Sequence, residues 1–179
     1  MELKAATTVV RPAEEVYDFW SSLDRFPSFM AHVDDVQVTG PRTSHWKVSA
    51  PFDREVEWDA ETTEQDPGNH LAWRSLEGAD VPNSGDVRFV PAPDGISTEV
   101  HVTLTYDAPG GSLGRALAKY FGEEPSQHLD DDLRRFKQVI AAATTGGKVF
   151  MKEPRAKVAA VRFPRTEEVT RSIRVRKAF

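Results

Sequence analysis

Residues 54–63 read REVEWDAETT, and no other stretch of the chain has so clear a two-residue period. Val56, Trp58, Ala60 and Thr62 fall on one side; Glu55, Glu57, Asp59 and Glu61 fall on the other. Such alternation predicts a half-buried antiparallel strand with a solvated outer face. Asp66-Pro67-Gly68-Asn69 follows as a turn signal, which makes residues 70–75, with Leu71 and Trp73 in line, the hairpin partner.

Working outward, strands are predicted over 33–39 and 45–50, ended by Gly40-Pro41 and Pro51. Further strands cover 85–90 and 97–106, on either side of the turn Pro91–Gly95. The Thr- and Val-rich start, 3–10, suits a first strand. Pro12 opens a helix over 13–20 that puts Val16, Phe19 and Trp20 on one face. Residues 25–30 form a second short helix or turn, with Phe26, Phe29 and Met30 inward. After Pro109-Gly110-Gly111 the period becomes helical, with Ser112 as N-cap. Leu113, Ala116, Leu117, Tyr120 and Phe121 make one stripe, Pro125 interrupts it, and Leu129, Leu133, Phe136 and Ile140 resume it. Asp130, Asp131, Arg134, Arg135 and Lys137 lie opposite, and Gly146-Gly147 ends the helix. The order of elements predicts an α+β fold: a curved antiparallel sheet, two short N-terminal helices, and a long C-terminal helix across the concave face.

The chain has 179 residues, 39% hydrophobic and 28% charged, with no cysteine. One domain over 1–146 with a basic tail over 147–179 is expected. Disulfides, thiolate metal sites and cysteine nucleophiles are excluded. No signal-like apolar start and no membrane-length apolar run occurs, so a soluble cytoplasmic chain is expected. The net charge of −5 conceals an asymmetry: the tail carries ten basic against three acidic residues, and the body is acidic. An acidic body argues against nucleic acid as partner. Two readings of the tail stand: peripheral contact with anionic lipid or an acidic partner, and a poorly ordered segment or one folded back on the body. The second is preferred.

Several segments together resemble the START-like (SRPBCC) superfamily, and within it the polyketide cyclase/dehydrase and coenzyme Q-binding type. They are 10–20 (VRPAEEVYDFW), 23–30 (LDRFPSFM), 33–36 (VDDV), 56–61 (VEWDAE), 71–75 (LAWRS) and the final amphipathic helix. The resemblance covers about residues 1–145. It implies a helix-grip fold with a cavity between sheet and long helix. Relatives bind lipids, quinones and polyketides, and some catalyse aromatic cyclisation or dehydration. Fold alone does not choose between these.

The cavity-lining candidates are Trp46, Trp58, Trp73, Phe89, Tyr106, Phe121, Leu133 and Phe136, because ligand pockets are mostly apolar. The competing expectation for each is ordinary core packing. Arg74 and His101 are the polar anchor candidates: a bidentate guanidinium and a near-neutral base. For Arg74 the preferred reading is a rim pair with Glu57 or Glu61 across the hairpin, and His101 faces solvent if Val100 and Val102 face inward. The five histidines, His32, His45, His70, His101 and His128, form no metal-binding spacing, so no metal or cofactor is expected. Residues 110–115 (GGSLGR) match neither GxGxxG nor a P-loop. Asp130-Asp131-Asp132 is read as a solvated helix face. No catalytic residue is assigned. Three functions remain open: binding and transport of an apolar small molecule, a polyketide cyclase, aromatase or dehydratase, and a protein-interaction module.

Overall fold

The structure is a computed structural model, described here for residues 1–50, 54–79, 81–107 and 125–143. Seven strands form one antiparallel sheet: β1 (Glu2–Val9), β2 (Val33–Val38), β3 (Thr43–Ala50), β4 (Arg54–Asp66), β5 (His70–Ser75), β6 (Asn83–Pro91) and β7 (Thr98–Tyr106). Their order across the sheet is β1-β7-β6-β5-β4-β3-β2. Each strand from β2 onward pairs with its chain neighbour, and β1 closes the set on β7 from Glu2↔Thr105 to Val9↔Thr98. This is the expected α+β, helix-grip arrangement: a curled half-barrel with a C-terminal helix.

β4 is the longest strand and runs past the predicted end at Thr63 to Asp66. A register shift between Thr62 and Glu64 admits an extra residue, and such a bulge bends a strand. Gly68, at φ +76, completes the turn that follows, with the Asn69 N–H donating to the Asp66 carbonyl at 3.0 Å. Bending is visible in the side chains. Trp46 on β3 and Trp73 on β5 are separated by β4, so their backbones lie roughly 10 Å apart. Their rings nevertheless stack at 5.9 Å and 11°, which requires them to converge on the concave side. Gly85 permits this: opposite Trp73 in the ladder, it would drive any β-carbon into the Trp73 indole.

Helix α1 (Ala13–Ser21) buries Val16, Tyr17, Phe19 and Trp20. Pro12 takes the N-cap place, one residue before the expected first turn, because its ψ of 147 is extended. Glu14 and Glu15 favour the positive end of the helix dipole. The second short helix is a 3-10 helix (Leu23–Ser28) that contains Pro27. Its tight turns deliver Phe26, Phe29 and Met30 to the core. The long helix, α2 (Pro125–Ala142), turns Leu129, Leu133, Phe136 and Ile140 inward and packs on β1. The expected helix between Ser112 and Phe121, the stop at Gly146-Gly147, the domain boundary at 146/147 and the tail lie outside the described residues.

Candidate functional site

The concave face of the sheet divides into two ends. At one end, beneath α1 and the 3-10 helix, aromatic rings pack against one another. Trp20 meets Phe26, Phe29 and Phe136 at 5.4, 5.1 and 5.3 Å. Phe26 stands edge-on to Trp46 and Trp73 at 5.1 and 5.5 Å. Trp20, Phe26 and Phe136 are fully buried. Four of the cavity-lining candidates, Trp46, Trp73, Phe89 and Phe136, belong to this ring cluster, and Leu133 is buried in the same core. Their surfaces are taken up by protein neighbours.

At the other end the packing changes. Trp58 and Tyr106 are half-buried; both pack against the main core and also against a small apolar group of Val56 and Val81. Trp58 pairs directly with Trp46 in the ladder and stacks on it at 6.1 Å and 8°. Three parallel indoles, Trp73, Trp46 and Trp58, therefore step from the packed end to the looser one. The Trp46 indole N–H donates to the Ser44 hydroxyl at 2.9 Å. The Trp58 indole N–H is buried and has no acceptor among the described residues. Phe121, the remaining candidate, lies outside the described residues.

Tyr106 ends β7. Burial pushes its phenol up to about 12, and the Asp132 carboxylate adds to the rise. The phenol therefore keeps its proton at neutral pH. Asp132 is buried on α2. It accepts a hydrogen bond from the Ala31 N–H at 3.0 Å and an ion pair from Arg135. Arg135 also donates from Nε to the Phe29 carbonyl at 3.0 Å. One charged pair thus ties the long helix to the turn that leaves the 3-10 helix. Beside it, the His32 and His128 rings lie 5.5 Å apart. Burial lowers the His32 pKa; His128 and Arg135 add to the fall, while Asp132 and Asp34 oppose it.

This polar cluster was missed in the sequence. Asp132 was grouped with Asp130 and Asp131 as solvated, and Arg135 was placed on the outward face. Of the three aspartates only Asp130 and Asp131 are exposed, and Arg135 is half-buried. The signal was present in the spacing: His128, Asp132 and Arg135 stand at i, i+4 and i+7, which brings them to one helical stripe.

The two anchor candidates lie elsewhere. Arg74 is exposed on the convex face, where its Nε donates to Glu61 Oε1 at 2.7 Å. His101 is also on the convex face, 3.2 Å from Glu99 Oε2, because Val100 and Val102 take the inward positions. His45 and His70 are likewise paired with Asp59 and Asp86 at 2.9 and 2.6 Å. Both anchor candidates, Arg74 and His101, thus lie on the convex face. Among the described residues no group of three or more His, Asp or Glu side chains is placed to hold a metal ion.

A shallow, open groove of about 310 Å³ runs between α1 and the end of α2, lined by Arg11, Asp18, Arg25 and Ile140 among others. Arg25 lies 5.0 Å over the Phe19 ring there. The groove is separate from the Trp58–Tyr106 end.

Residues 9–134 match the family described as polyketide cyclase/dehydrase and lipid transport. The chain belongs to this family. Its fold is shared by a START superfamily protein from Mycobacterium smegmatis, at 11% identity, with a TM-score of 0.63 over 80% of this chain and 99% of that one. DR_A0006 from Deinococcus radiodurans is 42% identical, with a TM-score of 0.64 over 77% of this chain and 95% of that one. An uncharacterised 17.2 kDa protein of Streptomyces lincolnensis, from the melC2-rnhH intergenic region, is 30% identical over 76% of this chain and 88% of its own length. The Zhui aromatase/cyclase from Streptomyces shares the fold at 18% identity, with a TM-score of 0.64 over 82% of this chain and 97% of that one. No helix among the described residues is long and apolar enough to cross a membrane.

Proposed function

We propose that this family member binds a largely apolar small molecule, of the lipid, quinone or polyketide kind, at the Trp58–Tyr106 end of the concave face. The observation that carries the reading is the contrast in burial: aromatic surface is consumed at the α1 end and left half-covered at Trp58 and Tyr106. Covering that surface with a ligand would contribute roughly 25 cal/mol per Å² of apolar area before ordering costs. Within the same proposal the chain acts in the cytoplasm.

A second reading, a polyketide cyclase, aromatase or dehydratase at the same place, is favoured by one observation. A protonated phenol (Tyr106) lies within the field of a buried carboxylate (Asp132), and that carboxylate also acts on His32, whose lowered pKa keeps it neutral at pH 7. A donor and a neutral base of this kind are what acid–base chemistry on a ketone or alcohol requires.

Native mass spectrometry of freshly purified chain, followed by displacement of a fluorescent naphthalene probe, tests the first reading. A co-purifying apolar species that the probe displaces is expected, with loss of both in Trp58→Asp. A chain that carries nothing and binds no probe would overturn it. Tyr106→Phe separates the two readings: a carrier keeps its affinity, whereas an enzyme loses turnover of a linear poly-ketone substrate while still binding it.

A further inference from the structure

The bulge that bends β4 leaves a residue without a place in the ladder. Thr62 pairs with Trp73 and Glu64 with Ala72, so Thr63 between them opposes no one. Thr63 is exposed, and water alone would satisfy its carbonyl. The fold places an arginine there instead. The Arg42 guanidinium donates from Nε to the Thr62 carbonyl and from Nη2 to the Thr63 carbonyl, both at 2.9 Å. In return the Arg42 carbonyl accepts from the Thr62 N–H at 2.8 Å. A guanidinium is a planar fork, and its hydrogen bonds are charge-assisted. The loop that carries the fork is itself held. Arg42 lies between β2 and β3, where the Thr39 and Gly40 N–H groups both donate to the Thr43 carbonyl, at 3.0 and 3.2 Å.

What the bend serves is on the concave side. Thr62 opposes Trp73 and stands on the same strand as Trp58, which opposes Trp46. The Trp73–Trp46–Trp58 stack, at 5.9 and 6.1 Å, crosses three neighbouring strands. Were β4 to straighten, the Trp46 and Trp73 rings would separate toward the roughly 10 Å that divides their backbones. We propose that Arg42 is the positioning residue of the tryptophan stack: by clamping the β4 bulge it fixes the curl that brings the indoles together. It acts through the backbone of β4. As a statement about the stack the inference stands on the fold alone; as a statement about the site it rests on the binding proposed above, for which the stack is the wall.

NMR of the full chain without ligand tests this on wild type, Arg42→Ala, Arg42→Lys and Arg74→Ala. Wild type should show direct Overhauser contacts between the Trp46 and Trp73 indole protons, which shift upfield in each other's ring currents. Arg42→Ala should lose both signatures. Its Thr62 amide, whose backbone acceptor survives the substitution, should exchange at least about tenfold faster, the worth of one charge-assisted hydrogen bond. Arg42→Lys returns one charged donor and should regain part of each effect. Arg74→Ala breaks an exposed ion pair with Glu61, beside Thr62, and should leave the contacts and the Thr62 exchange unchanged. Intact indole contacts in Arg42→Ala, even with a lower urea midpoint, would overturn the inference. If Arg42→Ala does not fold, wild type decides: the Arg42 Nε–H should exchange more slowly than that of exposed Arg134, and equal exchange would overturn the clamp. The fluorescent naphthalene probe then reads the consequence. Weaker binding to Arg42→Ala than to Arg74→Ala is expected, and equal binding would overturn the role in the site. A wild type that binds no probe would overturn the binding proposal and leave the test of the stack intact.

Discussion

Trp20 and Trp58 each bury an indole N–H with no acceptor among the described residues, yet Trp20 is wholly enclosed and the Trp58 ring keeps some surface. Around Trp20, rings from the 3-10 helix, β6 and α2 meet it edge to face and leave no surface. Trp58 stacks on Trp46, packs against the main core and the small Val56–Val81 group, and keeps some surface. The α1 end is thus built as core, where aromatic pairs add their geometry to the burial of apolar area. The Trp58–Tyr106 end has the composition of core without its closure. The difference teaches that aromatic content alone does not locate a site; what locates it is aromatic surface that the protein has not used.

The comparison breaks first if the two ends respond alike to truncation. Phe136→Ala, at the sealed end, should cost about 3–5 kcal/mol of unfolding free energy, read from urea midpoints. Trp58→Phe should cost less than that, because it trims one ring at a site that is already partly exposed. Equal losses would erase the distinction between the ends. A smaller effect tests the seam between the ends: Gly85→Ala pushes a methyl group into Trp73, and overpacking of this kind costs about 1–3 kcal/mol. If the methyl group is absorbed at no cost, the tryptophan stack is looser than described.

How much of this was legible in the sequence follows from which forces set each feature. The strand register came through because burial of one face imposes a period of two, as in Val56, Trp58, Ala60 and Thr62. The α1 stripe came through for the corresponding helical reason. The extension of β4 to Asp66 did not, because Glu64 and Gln65 carry no inward pattern; the bulge after Thr62 breaks the alternation there. The division of the aromatics did not come through either. Trp46 and Trp58 look equivalent in sequence, yet only convergence on the curled face decides that the first is enclosed and the second half-covered. Asp132 was hidden by its acidic neighbours, since a run of three aspartates reads as solvated until the facing turn at Phe29–Ala31 is known. Arg74 and His101 look like anchors by chemistry alone, and the parity of their strands sends them outward.

The latch on α2 offers a further cut. Asp132→Ala removes the acceptor of the Ala31 N–H and leaves Arg135 without its carboxylate, and a cost of about 1–3 kcal/mol is expected. Asp132→Asn should recover part of it, because the amide oxygen still accepts from Ala31. The smallest effect is one of pH. The His32 pKa is lowered in the fold, chiefly by burial, from an ordinary value of 6.5. A group held below its unfolded pKa contributes stability that is complete above that value and lost as pH falls through the folded one. Thermal midpoints of the wild type should therefore drop more than those of His32→Asn as pH is lowered below about 6.5. A parallel drop would remove His32 from the seam.

The most direct measurement follows the four indole N–H resonances, assigned by single Trp→Phe variants, in two-dimensional NMR spectra during titration with 2-methyl-1,4-naphthoquinone. Saturable movement of the Trp58 resonance with Trp20 unmoved is the predicted result. Movement of Trp20 with Trp58 unchanged, or no movement at any indole, would contradict the account.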